Sequence, residues 1–213
     1  MRIRRAIVLA FALVLVGAGA SWVSSSVADT PRKLMLPQKA TVAVICGIKS
    51  ADEAHLVQID GAGTFQETSG EASPIVVKIE QPYKLKTGQK TVPLSAISIS
   101  GTGYAEGIGG TRYWLDPTRP VASAIWEKTP GTEFPAIQEM RFHFFYTFEA
   151  MPGKTFRSIN PARMRSNNVR AFPPPSGTTY RLVEPVELEE ISAPGVVVGR
   201  VLANRVVISN KGA

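Results

Sequence analysis

Apolar and polar side chains alternate in short runs along most of this chain, and turn-forming residues interrupt them. The clearest run is Met140 to Phe148. Met140, Phe142, Phe144, Tyr146 and Phe148 fall on one side at period two, with Arg141, His143, Phe145 and Thr147 on the other. Successive strand side chains point to opposite faces, so this segment predicts a strand that puts five large apolar groups into a core. Rings of that bulk call for a thick space between two layers. Ile75 to Glu80 repeats the pattern, with Ile75, Val77 and Ile79 opposed to Lys78 and Glu80.

Further strands are predicted at Ala40 to Ile48, His55 to Asp60, Leu94 to Ser100, Val121 to Lys128, Thr179 to Val183 and Val186 to Ile191. Tyr104 to Leu115 is glycine-rich and reads as a hairpin. Val196 to Ser209 is β-branched almost throughout and holds two strands or one long one. Gly61-Ala62-Gly63, Pro185 and Pro194-Gly195 supply stops and turns. One helical turn fits Ser50 to Leu56. Outside the N-terminal segment, no window of twelve or more residues repeats apolar positions at helical spacing. The expected fold is therefore all-β, about nine to eleven strands in one domain spanning 29–213. The leading architecture is a β-sandwich, immunoglobulin-like or jelly-roll-like, and the alternative is a closed β-barrel.

Residues 1–28 follow a different pattern. Arg2, Arg4 and Arg5 precede an uncharged apolar run from Ala6 to Val16, and small residues follow. Ala18-Gly19-Ala20 and Ser26-Val27-Ala28 both suit signal-peptidase cleavage. This is the anatomy of a secretory signal-peptide helix. The run is shorter than the roughly 20 residues a spanning helix needs, and an uncleaved anchor is the alternative. Arg4-Arg5 loosely suits the twin-arginine route. No cysteine stands at the cleavage region to carry a lipid. The expected location is the periplasm, the cell envelope or the medium, with no membrane span after cleavage.

Export changes how charge and cysteine are read. The full chain has 24 Lys+Arg against 17 Asp+Glu, net +7; without the leader's arginines the surplus is +4. That surplus suits solubility and does not demand nucleic acid. Cys46 is the only cysteine, so no intramolecular disulfide can form, and it reads as a buried hydrophobe within a strand. No Asn-x-Ser/Thr sequon is present, which points to a bacterial source.

Candidate chemistry is sparse. His55 and His143 both fall in predicted strands, with His143 expected on a surface or sheet face. No close set of ligands has metal spacing. No Gly-x-Ser-x-Gly elbow is present. Gly101-Thr102-Gly103-Tyr104-Ala105-Glu106-Gly107 misses the dinucleotide fingerprint, and the nearby glycines read as a turn or bulge. No catalytic, metal or cofactor-binding residue is therefore expected. Asp60, Asp116, Glu139 and Glu149 are the carboxylates a polysaccharide hydrolase would draw on.

One segment stands out by charge. Ala150 to Val183 has no acidic residue and six basic ones. Pro152 to Gly177, with Pro161 and Pro173-Pro174-Pro175, reads as a long ordered loop. Lys154, Arg157, Asn160, Arg163, Arg165 and Arg170 are the expected ligand contacts, because a guanidinium forks onto carboxylate, sulfate, phosphate or sugar oxygens. The competing reading has Glu184, Glu187, Glu189 and Glu190 neutralising the loop. The functional expectation is an exported, non-catalytic binding or envelope-associated protein facing an anionic or carbohydrate surface. The alternatives are a secreted polysaccharide hydrolase and a structural subunit pairing by sheet edges.

Overall fold

A computed structural model describes residues 35–45, 48–50, 55–72 and 74–209, with side chains over 35–44, 55–68 and 74–209. The signal segment and Cys46 lie outside those residues, as does most of the helical turn expected at Ser50 to Leu56. Every described regular element is a strand. In chain order they are β1 (Thr41–Ile45), β2 (Ile48–Ser50), β3 (His55–Ile59), β4 (Gly63–Ala72), β5 (Ile75–Ile79), β6 (Tyr83–Lys84), β7 (Lys90–Ser98), β8 (Ser100–Ala105) and β9 (Gly109–Leu115). They continue with β10 (Ala122–Thr129), β11 (Thr132–Phe142), β12 (Phe144–Phe148), β13 (Phe156–Ser158), β14 (Ala162–Val169), β15 (Thr179–Leu182), β16 (Val186–Glu190), β17 (Val197–Ala203) and β18 (Arg205–Ile208).

The chain is all-β, as its alternation predicts, and the barrel describes it better than the sandwich. Eight strands close on themselves in the order β12-β13-β16-β17-β3-β4-β8-β9. Antiparallel pairing of β12 with β9, from Phe144 opposite Leu115 to Phe148 opposite Thr111, completes the ring. Closure removes the sheet edges that a sandwich would leave. The other ten strands form a second sheet in the order β1-β5-β7-β10-β11-β14-β15-β18-β2, with β6 on β7.

The reason the sandwich fails lies in the segment with the best alternation. Met140 to Phe148 is two strands, one in each sheet, divided at His143. β11 pairs with β10 and β14, whereas β12 pairs with β9 and β13. The same change of neighbours happens at Ile99, between β7 and β8, and at Asn204, between β17 and β18. Alternation records which face is inside, not which backbone lies alongside. Each such passage therefore reads as one strand in sequence, and the expected strand count is too low.

His143 is buried at the passage, not placed on a surface. Its Nδ1 lies 3.0 Å from Ser158 Oγ, and that oxygen also accepts the Phe144 backbone N–H at 3.1 Å. The expected loop at Pro152 to Gly177 contains β13 and β14. In β14, Ala162, Met164 and Ser166 turn inward and alternate with Arg163 and Arg165. Period two was present there beneath the charge.

The core has two clusters. One, on the ten-stranded sheet, includes Val77, Leu94, Ile125, Met140 and Met164. The other fills the barrel with Val57, Phe144, Tyr146, Phe148, Val186 and Leu188. Tyr113, Phe142 and Leu182 pack against both, so the two interiors are continuous.

Candidate functional site

Cross-strand register brings a polar group together inside the barrel. His55 on β3 stands opposite Glu67 on β4, and Tyr113 on β9 stands opposite Tyr146 on β12. Val201 pairs with Val57 and Ala203 with Leu56, which brings Asn204 to the His55 end of β3. The His55 and Tyr146 rings stack with centroids 6.2 Å apart, and Tyr113 meets Tyr146 edge-on at 6.3 Å.

These groups border an apolar cavity of about 80 Å³. His55, Tyr113, Tyr146, Tyr180 and Asn204 line it together with Met140, Phe142, Phe144 and Met164. Both sheets contribute to its wall. The free space holds several water-sized spheres, or a slender chain of a few heavy atoms.

The polar atoms are incompletely satisfied. Glu67 is 4% exposed. Its Oε1 accepts the Thr111 hydroxyl at 2.8 Å, and its Oε2 lies 3.4 Å from His55 Nδ1 without an aligned hydrogen bond. The Tyr146 hydroxyl and Asn204 Oδ1 are buried without a hydrogen-bond partner among the described residues. Burial and, after it, the Glu67 charge push the Tyr113 phenol up to about 12, so it stays protonated as a donor. Tyr180, raised by burial, donates to Gln138 Oε1 at 2.7 Å. Buried polar atoms in an apolar chamber cost stability unless bonded. Unpartnered ones that converge on a cavity are what a ligand site looks like.

Two glycines make room for this group. A Cβ on Gly101 would overlap the Tyr113 hydroxyl, and one on Gly103 would overlap the Glu67 carboxylate. Gly101, Gly103 and Ala105 thus form an inward face of β8 at period two, and the turn read in sequence at Gly107 to Gly110 lies beyond them. The turn itself follows at Gly107, where φ is +91°. Sequence reasoning missed this site, although a signal was present. His55 shares its face with Val57 and Ile59, and Glu67 shares its parity with Phe65. A titratable group on an apolar face is unusual enough to mark. β4 itself was not predicted, because Gly63–Ala72 is polar and its register is set by the neighbours on both sides.

The residues picked out by charge lie elsewhere, on outer faces, and most are engaged within the chain. Arg157 Nε is 2.5 Å from Glu189 Oε1, and Lys154 Nζ is 3.4 Å from Glu190. Arg163 bridges Glu139 at 3.2 Å and Glu184 at 3.1 Å. Arg165 lies 4.0 Å from Glu139 and 5.6 Å from the Trp126 ring. Asn160 donates to the Pro185 carbonyl and accepts the Glu187 N–H, pinning two segments together. Arg170 is exposed beside Arg165, Arg181 and Arg205.

Of the candidate carboxylates Asp60 is exposed, and the other three have local partners. Asp116 accepts the Thr118 amide and hydroxyl, and Glu149 accepts the Gly110 amide at 2.7 Å. Burial alone would raise the Glu139 carboxyl, but hydrogen bonds from Arg163 and Arg141 outweigh it and hold the carboxyl below its ordinary value. Among the described residues, no three His, Cys, Asp or Glu side chains converge as metal ligands do, and no helix is long and apolar enough to cross a membrane.

No known family profile matches the chain, and no curated protein matches it in sequence. Among solved structures it is similar to DynF from the dynemicin biosynthesis pathway of Micromonospora chersina. The TM-score is 0.68 at 17% identity, with 89% of each chain covered. At that identity the likeness is one of fold, and it extends over nearly the whole of both chains.

Proposed function

We propose that this chain is an exported, non-catalytic binding protein that takes a slender apolar molecule into its interior. The apolar part lies along Met140, Phe142, Phe144 and Met164. A polar tip meets His55, Tyr146 and Asn204, with Glu67 behind the histidine. One observation carries the reading: the Tyr146 hydroxyl and Asn204 Oδ1 are buried, unpartnered and beside an apolar cavity. Export rests on the leader pattern of residues 1–28. The fold proposed for this role is the closed barrel with its companion sheet, in place of the sandwich expected from alternation.

The test is a calorimetric titration with 1-hexanol, a short apolar chain with a polar tip, in the parent and in Ala162→Leu. Ala162 lines the cavity, and a leucine there occupies its free space. The expected result is one saturable site, with affinity lowered about tenfold or more in the variant. That factor corresponds to about 1.4 kcal/mol. Urea unfolding of the same samples separates lost affinity from lost fold. No saturable binding by the parent contradicts the proposal.

A second reading has one observation in its favour. His55 next to Glu67 resembles a base and the group that orients it. An enzyme using that pair would turn over the bound molecule, and Glu67→Gln would abolish turnover while sparing binding. Contact of Lys154, Arg157, Asn160 and Arg163 with an anionic or carbohydrate surface is less well supported, because those side chains already serve partners in the chain.

A further inference from the structure

The outer face of the ten-stranded sheet bears a row of like charges that folding does not require. Arg165 on β14 stands opposite Arg181 on β15, and Arg181 stands opposite Arg205 on β18. Neighbouring strands are ~4.8 Å apart, so three guanidinium stems rise side by side from adjacent backbones. Like charges directly opposite one another destabilise a sheet. Other basic side chains of this protein avoid that penalty through carboxylates, as Arg157, Arg163 and Arg200 do. Arg170, Arg181 and Arg205 are exposed, and none has a carboxylate partner among the described residues.

The four arginines converge on an open cavity of about 530 Å³. Its other lining groups are amides, hydroxyls and backbone, including Asn167 and Thr179, and no acidic side chain lines it. Arg165 is held in place from one side, by Glu139 at 4.0 Å, the Trp126 ring at 5.6 Å and Asn167 Oδ1 at 2.9 Å.

We infer that this cavity binds a ligand carrying two or more phosphate or sulfate groups, through Arg165, Arg170, Arg181 and Arg205. A guanidinium presents paired N–H donors in a planar fork that matches such oxyanions. Charges spaced by one strand each need more than one anionic group to balance them. The volume exceeds the needs of a single oxyanion. None of these residues borders the interior cavity, so the site stands or falls independently of the proposed apolar ligand.

The experiment is calorimetric titration of the full mature chain with pyrophosphate at low and high salt, repeated with Arg181→Ser and Arg205→Ser. The expected result is binding that weakens with salt and falls about tenfold in each variant, the size of one charge-assisted contact. Without ligand, the thermal midpoints of the variants hold or rise, because repulsion has been relieved. No binding by the parent at low salt, or binding unchanged in both variants, overturns the inference. Cosedimentation with phosphatidylglycerol vesicles, with and without pyrophosphate, identifies the source. Vesicle binding that pyrophosphate displaces supports a lipid headgroup, and pyrophosphate binding without vesicle binding supports a soluble anion.

Discussion

Tyr146 is 1% exposed, its ring stacked on His55 and edge-on to Tyr113, and its hydroxyl meets no hydrogen-bond partner among the described residues. Phenylalanine would keep the packing and remove the desolvated oxygen. Tyr146→Phe is expected to raise the unfolding free energy by about 1 kcal/mol, within the range for burying an unsatisfied group. It is expected to weaken a ligand with a polar tip. Urea unfolding and the 1-hexanol titration read the two effects separately, and a variant less stable than the parent would show that the hydroxyl has a partner. Gly103→Ala tests the other side of the group. Its methyl would displace the Glu67 carboxylate, at a cost of about 1–3 kcal/mol as in other overpacked interiors. At this scale the sequence showed residue types without their neighbours. The arginines could be named from charge alone, but the carboxylates that engage them, Glu139 above all, come from another strand. His55 was visible on an apolar face, yet Glu67 became its partner only through the β3–β4 register.

Strand faces were legible and strand neighbours were not. Ile75–Ile79, Ala122–Thr129 and Val186–Glu190 match their predicted positions closely because one face of each is buried and period two is strong there. The passages between sheets left no comparable mark. At the β11–β12 passage, Ser158 holds His143 Nδ1 and the Phe144 amide with a single oxygen. Ser158→Ala would take the side-chain acceptor from the Phe144 amide and leave His143 Nδ1 with only the Ser158 carbonyl at 3.3 Å, and a loss of about 1–3 kcal/mol is expected in urea unfolding. The passage is also pH-sensitive. Burial, reinforced by the Arg119 charge, holds the His143 imidazole below its ordinary pKa of 6.5. The unfolded chain then takes up a proton that the folded chain refuses. This contribution to stability is full above the ordinary value and is lost as pH falls toward the folded one. Stability should therefore decline on acidification below neutrality, and His143→Gln should flatten that part of the profile. An unaltered profile would remove His143 as its source.

On the scale of the whole molecule, short passages of chain link the two sheets, and Tyr113, Phe142 and Leu182 join their interiors into the space where we propose that a ligand binds. All-β character and a large aromatic core could be read from alternation. Barrel closure could not, because it depends on β9 meeting β12, 29 positions apart between Leu115 and Phe144. If the interior is a binding site, occupancy must stabilise the fold by mass action, by about 2.7 kcal/mol at a hundredfold excess over Kd. A thermal midpoint indifferent to saturating 1-hexanol would deny it. The methionines give the most direct readout of place. Met140 and Met164 line the cavity, whereas Met35 is exposed and Met151 borders a separate outer groove. The measurement is methyl NMR of the full chain with isotope-labelled methionines during addition of 1-hexanol. Interior binding predicts saturable shifts of the Met140 and Met164 methyls, with Met35 and Met151 unmoved. Still Met140 and Met164 signals, or shifts confined to Met35 or Met151, would contradict it.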